Sequence, residues 1–312
     1  MFNPGFFVRR LTLSLLPLAV LNWPVTTAAA DSAIGPCTES YSVCLADWKA
    51  RRLAFLKGDD GFLNLAGLFW LKEGPNTFGD SGSNDLVFPG ITARAELGRF
   101  VLRDGQVTMF VNKDHEVRVD GRGVADIVMR DDMSPDPTVA SYGNLSWTII
   151  RRSNQFAVRL RDSRNPALAN FRPISSYPAD ETYRVRATLH RYPEPRAVRV
   201  DTVIAGLDYN PWSPGVVRFE LGEDSYELEA YDAGNELFFV FGDQTSGRET
   251  YPAGRFLYAR KPGKDGELTL DFNTAHNPPC AFNEFATCPV ASPRNRLPVA
   301  ITAGEKFNPA SH

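Results

Sequence analysis

The stretch "RFVLRDGQVTMFVN", Arg99 to Asn112, limits what this chain can become. Two runs alternate apolar and polar residues on either side of Asp104-Gly105, which is the pattern of a β-hairpin and its two-residue turn. The rhythm returns in "HEVRVDGRGVADIVM" and in "LSWTIIRRSNQFAVRLRD". Period-two runs cannot gather an apolar stripe on a helix, so the chain must fold mostly as antiparallel β structure. Strands this short, separated by turn residues, favour a β-sandwich over a helical or parallel-sheet domain.

The first thirty residues stand apart. "MFNPGFFVRRLTLSLLPLAVLNWPVTTAAA" offers two arginines, an apolar run from Leu11 to Leu21 and a small-residue tail. That is the order of a secretory signal peptide, 1–30, with an apolar run too short to span a membrane. "VRRLTLS" matches the twin-arginine pattern poorly, so the general secretory route is expected. Without the leader, Lys and Arg fall from 34 to 32 against 37 Asp and Glu, leaving −5. A mildly acidic exported chain with scattered basic residues is a poor nucleic-acid binder. Residues 31–58 should hold one helix, with Thr38 as N-cap, Val43, Leu45, Trp48 and Leu53 as its apolar positions, and Gly58 as its stop. Residues 59–178 read as a β-sandwich block. Residues 179–312 read as a second antiparallel β block, a sandwich or small barrel, with long polar loops.

Two of those loops carry the chemistry. "GDQTSGRETYPAG", Gly242 to Gly254, exceeds an ordinary hairpin turn and holds Asp243, Ser246, Arg248, Glu249 and Tyr251, with Arg255 just beyond. A turn whose Asp, Ser and Thr bond the local backbone is its plainer reading. The second, Asp271 to Ile301, lacks helical or strand periodicity for roughly two dozen residues, beyond the ~12 to 15 that compact domains usually tolerate. It holds Asn273, His276, Asn277, Cys280, Glu284, Cys288, Arg294, Asn295 and Arg296.

In an exported protein, Cys280 and Cys288 are expected to close a small disulfide loop. Cys37 and Cys44 would lie ~10 Å apart on one helix, beyond the ~7 Å a disulfide spans. Either the helix starts after Cys37, or these cysteines pair elsewhere. Four cysteines at these spacings do not suggest a zinc site, and neither a metal nor a cofactor is expected. Phosphate-binding glycine motifs and a G-x-S-x-G elbow are absent. Ser246 with His276 and Asp243 or Asp271 forms a triad only on paper. The carboxylates Asp271, Glu284 and Glu305 could pair for acid-base work, but arginines such as Arg294 and Arg296 are their more ordinary partners. Trp48, Trp70, Trp147 and Trp212 are expected in cores.

Three segments, "GLFWLKEGPNTFG", "FGDQTSGRETYPAGRFLY" and "LDFNTAHNPPCAFNEFATCPVASPRNRLPVAITAGEKF", resemble the bacterial domain-of-unknown-function family 1684. The likeness runs from Trp48 onward. It implies no catalytic residues, and the family pattern has tyrosine where this chain has His276, so it does not carry a triad. It places Cys280 and Cys288 at matching positions, which favours their pairing. The first block also resembles forkhead-associated domains in "LKEGPNTFGDSGSNDLVFP" and "VRVDG", as a fold only.

The expectation is an exported protein, periplasmic or extracellular, that binds a small polar or anionic ligand. Asp243, Tyr251, Arg255, Asn273, Asn277, Arg294 and Arg296 would converge on it, since arginines suit carboxylate and phosphate groups. The rival expectations are an envelope hydrolase using carboxylates or a serine of the same loops, and an envelope interaction module.

Overall fold

Asp104 and Gly105 both take positive φ, 50° and 75°, which is the geometry of the two-residue hairpin turn. They join the strands Gly98–Arg103 and Gln106–Val111, which pair from Gly98 with Val111 to Arg103 with Gln106. The computed structural model describes residues 32–35, 37–90 and 96–307. The expected signal peptide lies outside the described residues.

The alternation in that hairpin turns Phe100, Leu102, Val107 and Met109 into a core. Its five-stranded sheet faces a six-stranded one built around Leu145–Arg152 and Gln155–Asp162. Phe78, Phe88, Phe100 and Trp147 meet between them, with Phe78 and Phe100 stacked at 4.5 Å. This is the expected sandwich.

The second block is a six-stranded antiparallel meander that curls into a nearly closed barrel. Its last strand, Glu267–Asp271, returns beside Arg184–Ala197. In Glu236–Phe241, Leu237, Phe239 and Phe241 point into the barrel, while Phe238 and Val240 pack outside against Ala286, Cys288 and Ala291 of the late loop. Both faces are covered, so this strand reads as an unbroken apolar run.

The N-terminal helix spans Tyr41–Lys57 and is preceded by Ser40, not Thr38. Because it begins after Cys37, Cys37 and Cys44 lie only 6.2 Å apart at Cα and form the disulfide. The pairing expected at Cys280 and Cys288 is not formed: both are free thiols, and the Cys280 N–H donates to Cys288 Sγ at 3.1 Å. The buried helical face is Cys44, Leu45, Trp48, Arg52 and Leu56, while Val43 and Leu53 are exposed. A stripe at four-residue spacing runs through Arg52, and a charged residue inside it hid the true face.

The late loop is held by hydrogen bonds instead of a disulfide. Phe256 and His276 exchange backbone hydrogen bonds at 2.9 Å, and Ala291 donates to Ala253. The Asn295 side chain accepts from the Glu229 N–H and donates to the carbonyls of Glu229 and Val240. It takes the place of a strand where two strands splay.

Arg52 joins the helix to the chain end. Its Nε meets Glu305 Oε1 at 2.5 Å, with both side chains buried. Arg52→Ala would strand the carboxylate, costing about 3–5 kcal/mol. Urea unfolding should show that loss, and only part of it should be recovered in Arg52→Met with Glu305→Leu, which removes the charges but leaves the Asn277 N–H and carbonyl without those partners. A loss below about 1 kcal/mol would contradict this account of the pair.

Candidate functional site

Asp243 opens its loop as an Asx turn: one carboxylate oxygen accepts from the Thr245 N–H at 2.7 Å and from Thr245 Oγ1 at 2.6 Å. The other accepts from Arg255 Nη2 at 2.8 Å, with both side chains buried. Arg255 lies in the strand Arg255–Arg260 and points toward the chain end, where it also donates to the carbonyls of Ile301 and Ala303. Its guanidinium lies 5.2 Å from the Phe241 ring centre. This pair is a buried structural clamp, consistent with the plainer reading of the loop.

The other expected site residues are dispersed. Asn273 bonds both the N–H and the carbonyl of Asp180. Tyr251 donates to the Cys280 carbonyl at 3.1 Å. Arg294, half exposed, pairs with Glu227 and Glu229 beside Tyr192. Arg296 is exposed and lies over Gly242. Only Asp243 and Arg255 touch each other, so the seven residues do not line one concave site.

The residues of the paper triad are also committed elsewhere. Ser246 Oγ accepts from the Asp243 N–H. His276 Nδ1 bonds the Thr274 carbonyl at 2.9 Å, and its ring stacks on Tyr258 with Trp48 nearby. Asp271 accepts from Tyr41, and Glu305 from Arg52, so each carboxylate holds the helix. Among the described residues no group of three or more His, Cys, Asp or Glu is placed to hold a metal ion.

A cavity opens instead beside Asn277, with a volume of about 470 Å³. Asn277 is buried and fixed on three sides: its N–H donates to Glu305 Oε2, its Nδ2 to the Lys306 carbonyl, and its own carbonyl accepts from Arg52. The Nδ2 bond fixes the amide orientation, so the remaining group is Oδ1, a buried acceptor with no hydrogen-bond donor. Phe171 and Phe282 flank the cavity with ring centres 6.3 Å apart. Arg172, exposed and in no ion pair among the described residues, also lines it. Sequence reasoning found Asn277 but missed Phe171, Arg172 and Phe282. The prolines in "NFRPISSYP" disfavour helix at the residues before them, the one sign in the sequence that this segment runs extended.

Two outcomes follow. Arg255→Lys cannot reproduce the guanidinium fork, and should cost about 3 kcal/mol in urea unfolding. Arg296→Ala should stay within about 0.5 kcal/mol of the unsubstituted chain. Equal losses would mean that Arg255 is no clamp. Burial raises the Asp271 carboxyl above its ordinary value, against the lowering by Tyr41 and Asn273. A raised folded value gives stability that is complete below the unfolded value of about 3.9 and lost as pH rises through the folded value. The stability of the unsubstituted chain relative to Asp271→Asn should therefore increase from neutral to acid pH. A decrease over that interval would contradict the assignment.

Residues 169–306 match the family model described as "Protein of unknown function (DUF1684)". The match includes the segments Phe241 to Tyr258 and most of Leu270 to Phe307, but not Gly67 to Gly79, so it is shorter than the resemblance seen in the sequence. No curated protein matches the chain. A solution NMR structure of an uncharacterized protein from Haloarcula marismortui is similar at 30% identity, covering 46% of this chain and 80% of that one, with a TM-score of 0.39. Over residues 169–306 the chain belongs to domain-of-unknown-function family 1684.

Proposed function

We propose that this is an exported protein that binds a small polar or anionic ligand in the cavity beside Asn277. The observation that carries the reading is the Asn277 Oδ1. A buried acceptor without a donor costs about 1–3 kcal/mol, which a ligand hydroxyl or amine at that point would offset. Arg172 supplies the matching charge for an anionic group, and Phe171 and Phe282 supply flat apolar surface for the rest. The leader pattern of residues 1–30 and the Cys37–Cys44 disulfide support export to an oxidising compartment. No helix among the described residues is long and apolar enough to cross a membrane.

Native mass spectrometry of the full chain, purified from an export-competent host, tests the reading. A small molecule should be retained, and Arg172→Glu should reduce its occupancy about tenfold, equivalent to ~1.4 kcal/mol. That substitution breaks no hydrogen bond or ion pair among the described residues, so folding should be preserved. If nothing is retained, or if retention is indifferent to Arg172→Glu, the proposal fails. Product formation in a parallel screen of ester, glycoside and phosphate substrates would replace binding with hydrolysis.

A further inference from the structure

A second cavity, about 160 Å³, lies where the sandwich meets the late loop, and it shares no lining residue with the cavity beside Asn277. Tyr209, Phe238, Phe256 and Tyr258 wall it, and two arginines of one sandwich hairpin, Arg152 and Arg159, also line it. The two arginines differ in their partners. Arg152 is matched: Nη1 donates to Asp132 Oδ2 at 2.7 Å, and Nε to Thr287 Oγ1 of the late loop at 3.2 Å. Arg159 makes no hydrogen bond or ion pair among the described residues, and its Nε is buried.

Burial, with Arg152 adding repulsion, pushes the Arg159 guanidinium down to about 9, so it remains charged at neutral pH. The neighbouring Cys288 thiol does not balance that charge, because burial pushes it well above its ordinary value and keeps it neutral. The cavity therefore presents one excess positive charge beside aromatic walls. A partly buried cation without a partner is unfavourable, and an anion entering beside it would offset that cost.

We propose that this cavity binds a small monocarboxylic acid, with the carboxylate on Arg159 and a compact apolar body among the aromatic side chains. One unmatched cation calls for a monoanion, and the planar guanidinium fork suits a carboxylate. At ~30 Å³ per water the space equals about five waters, enough for a single ring or a short branched chain.

The test is isothermal titration of the full chain with benzoate, and with benzyl alcohol as its uncharged counterpart. Benzoate should bind with a millimolar or tighter constant, and benzyl alcohol at least tenfold more weakly. Arg159→Gln should weaken benzoate at least tenfold and leave benzyl alcohol unchanged. Ala286→Leu keeps Arg159 but fills space at the lining, and should also abolish benzoate binding. That variant decides the question if Arg159→Gln does not fold. No benzoate binding by the unsubstituted chain, or undiminished binding in either folded variant, overturns the proposal. Binding of inorganic phosphate in preference to benzoate would overturn the monocarboxylate assignment as well.

Discussion

Arg52 and Glu305 are 253 residues apart and meet at 2.5 Å with both charges out of water. Much of the second half of the molecule is arranged around keeping that pair satisfied. Glu305 Oε2 also accepts from Arg52 Nη2 and from the Asn277 N–H, and the Arg52 Nη2 also donates to the Asn277 carbonyl. The chain can deliver Glu305 there because Gly304 takes φ +80°, where a Cβ would lie 2.3 Å from the Ala275 carbonyl oxygen. The Glu305 N–H then donates to Ala275 at 2.7 Å. Helix, late loop and chain end are thus joined by one buried charge pair and its hydrogen bonds. An unpaired partner would cost more than the intact pair contributes, so the arrangement stands or falls as a unit.

The late loop shows how a long irregular segment can be buried. Its backbone polar groups cannot find a strand partner throughout, so side-chain amides complete the pairing. Asn295 spans Glu229 and Val240, Asn273 spans both polar groups of Asp180, and Asn277 reaches Lys306. Asn277 is the one of these three whose side chain is left with an unused buried acceptor, and the residue lines a cavity. The same reasoning distinguishes the arginines. Arg255 and Arg152 are each matched by an aspartate, whereas Arg159 is not. Charge that is matched within the fold serves packing, and charge left unmatched beside a cavity is available to a ligand.

The two cavities flank the late loop from different sides. One lies between it and the linker at Phe171 to Ser175, the other between it and the sandwich hairpin. Cys280, Cys288 and Tyr251 interact directly, and Cys288 lines the second cavity. Cys280 is held below the usual thiol range, first by its hydrogen bond with Cys288, while burial raises Cys288. The loop is therefore both the floor of the barrel exterior and a wall common to the two binding proposals, and a change in its packing would reach both.

The sequence by itself determined the β architecture. Asp104-Gly105 needs positive φ at both positions, and the alternation beside it admits one register, so local sterics and burial gave the same answer. Gly58 stopped the helix for a local reason too. The helix start and face were misread, because Arg52 looks like a solvent residue until Glu305 is placed opposite it. The Cys280–Cys288 pairing expected from spacing is not formed, whereas Cys37–Cys44 forms because the helix begins after Cys37, one of the two alternatives the sequence held open. The candidate site was legible only at Asn277. Which arginines are spent on aspartates, which carbonyls need an asparagine, and that Phe171 and Phe282 meet at one cavity are pairings across long stretches of chain. Composition and periodicity carry no record of such partners, because burial and charge matching are properties of three-dimensional neighbours, and only the tertiary structure decided them.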